Sequence, residues 1–140
     1  MPDSPDRAGA SVPVGFIAPF DSQLGLEYTE ISPDRTCAQL EVTPELLQPM
    51  GLVHGGVYCS IVESMASVAA YTWLATQGGG NVVGVNNNTD FLRSTGSGTV
   101  RGTAEPIHRG RSQQLWLVTI TDSDGRTLAR GQVRLQNLDT

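Results

Sequence analysis

One segment constrains the rest of this chain: Val57 to Thr76 runs for twenty residues with helical periodicity and no proline. Gly78-Gly79-Gly80 ends it. The other apolar runs are short and strand-like. Leu24–Ile31 and Thr36–Val42 precede it, split by the Ser32–Arg35 turn, and Pro44 to Met50 reads as a turn or short helical piece. Val82–Leu92, Thr99–Ile107, Gln113–Thr121 and Arg126–Gln136 follow it. Asp122-Ser123-Asp124-Gly125 joins the last two, and its Asp-Gly favours a tight hairpin. In the final run Ala129, Gly131, Val133 and Leu135 face one way and Arg130, Gln132 and Arg134 the other, so one face is packed and one is wet. Two strands, one helix and four strands predict an α+β domain with an antiparallel sheet packed on one central helix. At 140 residues the chain has the size of one domain, able to bury roughly two-thirds of its unfolded surface. Residues 1–20, rich in proline, glycine and alanine, read as a loose arm, leaving 21–140 as the domain.

Several classes of function drop out. No apolar run reaches the ~18 residues of a membrane span, and Met1 to Val12 lacks the basic start and apolar stretch of a signal peptide. Cys37 and Cys59 have no metal or redox spacing and read as reduced thiols. A cytoplasmic protein is expected, and the Asn-x-Thr sequon at Asn87 then carries little meaning. All nine basic residues are arginines, so no P-loop or Schiff-base lysine exists. Two histidines, His54 and His108, without an HExxH pair argue against a metal site. No GxSxG elbow is present, and Gly78 to Gly84 does not fit GxGxxG. Residues 1–92 carry two arginines and ten acids, whereas 93–134 carry seven arginines and three acids. One basic segment on a chain of net charge −5 suits a small anionic ligand better than nucleic acid.

Between His54 and Asp90 one charged residue stands in 35 positions, Glu63. At ~100° per residue, Cys59, Ser60, Ala66, Ser67 and Ala70 lie within roughly 60° of it, all small. Val57, Tyr58, Ile61, Met65, Val68 and Thr72 form the opposite, larger face, expected to pack on the sheet. The small face is expected to admit a ligand or another helix. A partly desolvated carboxylate there is a candidate for catalysis, and Ser67 sits one turn on, able to reach a water beside it. His54-Gly55-Gly56 is the second constellation: glycines at a helix start leave N–H groups accessible to a developing oxyanion. His54 and Glu63 lie nine residues apart, ~13 Å along a helix, too far to act on one bond from one chain. An enzymatic reading therefore requires at least a dimer.

The segment Gln48-Pro-Met-Gly-Leu-Val-His54-Gly55-Gly56, followed by Glu63-Ser-Met-Ala-Ser67-Val-Ala-Ala-Tyr71, resembles the hotdog-fold acyl-CoA thioesterases. The branch is that of the 4-hydroxybenzoyl-CoA and 1,4-dihydroxy-2-naphthoyl-CoA thioesterases, of phenylacetic-acid-pathway type. Phe91-Leu-Arg93-Ser94, Val100-Arg-Gly102, Pro106-Ile-His108-Arg-Gly110 and Asp124-Gly-Arg126 extend the likeness over residues 20–138. The resemblance implies a long helix wrapped by a curved antiparallel sheet, dimers joined edge to edge and paired into homotetramers, and active sites at the dimer interface. It implies Glu63 as the carboxylate, nucleophile or general base, and the partner chain's Gly55 N–H as oxyanion donor. Gln48 would sit by the carbonyl, His54 beside the thioester and Ser67 by the water. Gly56, Arg93, Arg109, Arg111 and Ser112 would bind substrate, the arginines pairing with the phosphates of coenzyme A. No cofactor or metal is implied, coenzyme A being part of the substrate, and no nucleic-acid or membrane partner. The expected reaction is hydrolysis of an aryl-CoA, with 1,4-dihydroxy-2-naphthoyl-CoA named first. Hydroxybenzoyl-, hydroxyphenylacetyl- and medium-chain acyl-CoA, acyl-carrier-protein substrates and a non-catalytic acyl-CoA-binding protein remain alternatives. A dehydratase on this fold would need a His-x-Pro-Phe-type segment, which is absent early in the chain.

Overall fold

A computed structural model describes residues 12–139. A short helix α1 (Pro19–Leu24) leads into strands β1 (Glu27–Ile31) and β2 (Thr36–Glu41). A single helical turn at Pro44–Leu46 and a loop lead to the long helix α2 (Gly55–Ala75). Strands β3 (Asn81–Phe91), β4 (Thr99–Arg109), β5 (Gln113–Thr121) and β6 (Thr127–Leu138) complete the chain. All six strands form one antiparallel sheet in the order β1-β2-β4-β5-β6-β3, which leaves β1 and β3 at its edges. This is the α+β arrangement expected, one sheet against one long helix.

Helix α2 forms because four alanines and no proline occupy its 21 residues. It stops at Gly78, Gly79 and Gly80, all at positive φ. Ile61, Val62, Met65, Ala66, Ala69 and Ala70 are at most 1% exposed, and they meet Trp116, Val118, Ile120, Val133 and Leu135 from the sheet in one core. The alternation expected in the last strand holds: Ala129, Gly131, Val133 and Leu135 are buried, and Arg130, Gln132 and Arg134 are exposed.

Three strand glycines set the helix-to-sheet distance. A side chain at Gly102 of β4 would collide with Met65, one at Gly131 of β6 with Val62 and Thr89, and one at Gly84 of β3 with the Glu63 carboxylate. The sheet thus touches α2 closely along the level of residues 62 to 65.

That closeness corrects the expected division of the helix into a packed large face and an open small face. The sheet curls far enough round α2 to bury Ala66 and Ala70 completely. Cys59, Ser60, Glu63 and Ser67 stay half-buried, and Val68, expected on the packed face, is half-buried too. A second correction falls at the N-terminus. Residues 1–11 lie outside the described residues, but α1 begins within the expected arm and ends within the expected first strand, which starts at Glu27 rather than Leu24. Pro19 in the first turn and Gly25 at φ 80 are the start and stop signals. Asp21 of α1 is buried and accepts the Tyr28 hydroxyl at 3.3 Å, and burial, then the Asp21 charge, pushes the Tyr28 pKa up. Among the described residues no helix is long and apolar enough to cross a membrane.

The glycine contacts predict a sharp position effect on β6. Gly131→Ala places a methyl group 2.9 Å from the fully buried Val62 Cγ1, and overpacking of this kind costs about 1–3 kcal/mol. The neighbouring outward change Arg130→Ala should stay within about 0.5 kcal/mol of wild type. Urea denaturation of the two variants measures the contrast.

Candidate active site

The loop before α2 is tied by its own backbone. Gln48 N–H donates to Leu52 O (2.8 Å), Gly51 N–H to Gln48 O (3.0 Å), Val53 N–H to Thr95 O and His54 N–H to Leu46 O. The Gln48 side chain is drawn into this loop: its Oε1 accepts from Met50 N–H (2.5 Å) and Leu52 N–H (3.3 Å). With the carbonyl end so occupied, the amide NH2 is the end left to meet a ligand.

His54 caps α2. Its Nδ1 accepts from Gly56 N–H at 2.8 Å, which makes Nε2 the protonated nitrogen of the neutral ring. The exposed edge of His54 is therefore a donor, suited to orienting a carbonyl or a leaving thiolate. Gly56 N–H is spent on this cap. Gly55 N–H, the first of the helix, has no partner among the described residues and lies at the positive end of the helix dipole. Of the two glycine donors expected, the structure leaves one available.

Phe91 of β3 lies against Gly55, where an added Cβ would come within 2.6 Å of its ring. Its centroid is 6.0 Å from that of Tyr58. These residues border a cleft of about 330 Å³ that also takes in Gln48, Leu52, Leu92, Arg93 and Ser94. Burial pushes the Tyr58 pKa up, and its hydroxyl has no partner among the described residues. The structure thus brings Gln48, Gly55 and Arg93 together at one end of α2.

Glu63 lies elsewhere, eight residues or ~12 Å along the helix from Gly55. Its Oε1 accepts from the Asn87 amide at 3.2 Å, and the same Asn87 nitrogen donates to Cys59 O at 3.1 Å. Asn87 Oδ1 in turn accepts from the Thr89 hydroxyl at 2.7 Å. Ser67 is half-buried one turn further on. Asn87, Gly84 and Phe91 were not among the expected site residues. Sequence alternation did not show this, because the phase is set by a bulge between Gly84 and Asn86, beyond which Asn87, Thr89 and Phe91 share the inward phase of β3 with Val133, Gly131 and Ala129 of β6.

The arginines divide between the two ends of the helix. Arg93 lies beside the cleft, its backbone bonded to Leu128 O. Arg109 stands at the other end, its guanidinium 5.7 Å over the Trp73 ring and bonded to Pro33 O (2.9 Å) and Asp34 (2.7 Å). It clamps the β1–β2 turn to α2, a structural task absent from the sequence reading. Arg111 and Ser112 form the adjacent hairpin tip, held by Asn137 through Arg111 O and Ser112 O. Since α2 spans roughly 30 Å, Arg109, Arg111 and Ser112 lie toward the opposite end of the helix from Arg93 of the same chain. No cluster of metal-ligating side chains occurs among the described residues.

The family model described as the thioesterase superfamily matches residues 50–129. A Mycobacterium tuberculosis protein carrying an esterase name is 63% identical over 139 residues, 99% of this chain and 95% of its own. A solved structure under that name superposes with a TM-score of 0.86 at 67% identity, over 88% of this chain and 98% of the other. The proofreading thioesterase EntH of Cronobacter turicensis is 39% identical over 103 residues, 74% of each chain. A thioesterase structure from Haemophilus influenzae gives a TM-score of 0.80 at 31% identity, covering 86% of this chain and 82% of its own.

The capping role of His54 is separable from chemistry. His54→Ala removes the bond to Gly56 N–H and should cost about 1 kcal/mol, whereas His54→Asn, a strong N-cap, should keep wild-type stability. Thermal melts compare the two, and equal melting of all three proteins contradicts the cap.

Proposed function

We propose that this chain, which belongs to the thioesterase superfamily and is a thioester hydrolase, hydrolyses an aryl-CoA thioester to the aromatic acid and free coenzyme A. One observation carries the site: α2 presents a half-buried carboxylate, Glu63, and an N–H without a partner among the described residues, that of Gly55, on one helix but ~12 Å apart. In this reading each site pairs Glu63 of one chain with Gln48, His54 and Gly55 of another. The edge strand β3 supports it, being eleven residues long, unpaired on one side, and exposing Val83, Val85 and Phe91. A homodimer is the minimum, and the homotetramer that the resemblance implies doubles it.

The chemistry follows from the groups. The thioester carbonyl oxygen accepts from Gly55 N–H, with the Gln48 amide and His54 Nε2–H alongside. Glu63 either attacks the carbonyl carbon, forming a mixed anhydride as the C–S bond breaks, or takes a proton from a water that attacks instead. In both routes the sulfur leaves as thiolate and is protonated, and a water oxygen completes the acid, with Ser67 placed to hold that water. Arg93 from one chain and Arg111 and Ser112 from another would meet the nucleotide phosphates, with Arg109, already paired with Asp34, adding its charge from behind. The Tyr58 and Phe91 rings beside the cleft favour an aromatic acyl group, as does the likeness of Glu63 to Tyr71 to the aryl-CoA branch. A cytoplasmic location suits coenzyme A substrates.

Thiol release is expected from 1,4-dihydroxy-2-naphthoyl-, hydroxybenzoyl- or hydroxyphenylacetyl-CoA ahead of lauroyl-CoA, and Glu63→Ala should abolish it while remaining folded. A lauroyl preference would overturn the aryl assignment, and an active variant the role of Glu63.

Subunit mixing tests the two-chain site. Gly55→Pro deletes the oxyanion N–H at the first helical position, where a helix accepts proline, and the exposed Phe91 ring must turn aside for the added side chain. Gly55→Pro and Glu63→Ala proteins are each expected to be inactive, and unfolding and refolding them together should restore up to about a quarter of wild-type activity in mixed dimers. No recovery, with mixed dimers shown to form, points to a site within one chain.

A further inference from the structure

We propose that Asn87, fixed by Thr89, is a positioning residue that holds the Glu63 carboxylate in its reactive orientation; the inference rests on the role given to Glu63 above. Every polar group of the Asn87 amide is used. The nitrogen donates to Cys59 O and to Glu63 Oε1, two groups that only accept, and the oxygen accepts from Thr89 Oγ1. A flipped amide would set its oxygen against two acceptors, so the orientation is determined by the partners. The Cys59 carbonyl belongs to the backbone of α2, one turn before Glu63. Asn87 is thereby moored to the rod that carries the carboxylate.

Folding does not account for this residue. Asparagine is a poor strand former, yet Asn86, Asn87 and Asn88 stand together in β3, and Asn87 is exposed, where water would satisfy its amide as well. The carboxylate has needs that it meets. Among the described residues no arginine pairs with Glu63; β3 sets Gly84 and Asn87 against its carboxylate, and Cys59 and Ser67 stand one turn away on α2. Gly84, lacking a side chain, makes room for Oε2, while Asn87 ties down Oε1. One strand thus holds one oxygen and leaves the other for chemistry.

The test uses the full chain and the fastest thioester of the four above. Asn87→Ala should lower kcat about ten- to hundredfold, the scale of a misplaced catalytic group, with KM within about twofold. The acid limb of kcat/KM should move to higher pH, because a lost donor to the anion favours its protonation. Asn87→Asp should move it further, by adding a like charge. Thr89→Val should show a smaller loss of kcat in the same direction, and Thr89→Ser should restore the wild-type rate. This pair decides the matter should Asn87→Ala fail to fold. Glu63→Gln separates the two inferences. If it is inactive while Asn87→Ala keeps the wild-type kcat and acid limb, the positioning role is overturned and the function stands. If Glu63→Gln is active, the assignment of Glu63 falls and the role of Asn87 with it.

Discussion

The fold depends on how closely one sheet approaches one helix. A lone helix of 21 residues has no helical neighbour of comparable length to cover its apolar surface, so the strands must do so from several sides. Glycines at 84, 102 and 131 permit it on β3, β4 and β6, opposite Glu63, Met65 and Val62. With larger residues there, the sheet would stand off by the thickness of a side chain, and the core would lose the contacts that make its interior dense. The alanines of α2 play the reciprocal part, buried where the sheet curls furthest round.

The same closeness makes the carboxylate unusual. On a helix packed against a flatter sheet, a residue at the Glu63 position would stand in open water beside other polar groups. Here the edge strand closes over it, and the residues of that strand, rather than those of the helix, determine what it touches. Gly84 gives it space and Asn87 gives it a donor. At the N-terminus of α2 economy governs: the His54 cap consumes Gly56 N–H, so the two glycines that look equivalent in sequence differ in what they offer a ligand.

Local signals made most of the architecture legible. A proline-free apolar run, three successive glycines and a strict inward–outward alternation in β6 each point to one conformation without tertiary help. The parts that were not legible depend on contacts between segments distant in sequence. Ala66 and Ala70 read as an open small face because periodicity reports direction round the helix, not how far a sheet wraps it. Short α1 was missed because six residues give too little periodicity, although Pro19 and Gly25 bracket it. Asn87 and Thr89 were noted only as a sequon of little meaning; their inward phase follows from the bulge between Gly84 and Asn86, which alternation counted from Val82 does not reveal. Arg109 was expected only at the phosphates of coenzyme A, and its clamp was not legible because its partners Asp34 and Trp73 stand far away in sequence.

A long straight helix is a poor scaffold for a site that must converge, because it separates the groups that it orients. Gly55 sits at one end, Glu63 near the middle, and the Arg109 clamp near the other. Each is rigidly aimed, the property catalysis needs, but they are aimed at different places. Two routes to convergence exist: a long loop folding back over the rod, or a second rod. The two longest described connections, residues 42–54 before α2 and 92–98 after β3, bond to each other beside the N-terminus of α2 (Val53 N–H to Thr95 O, Val42 N–H to Gly98 O), so neither is folded back over Glu63. The second route needs only a symmetric contact along a strand that touches both α2 and the surface. β3 meets the condition, with Gly84 and Asn87 against Glu63, Phe91 against Gly55, and its outer edge unpaired within the chain. In the two-chain site proposed above, a strand that covers α2 and leaves its outer edge unpaired within the chain would couple assembly to the placement of Glu63, through Asn87.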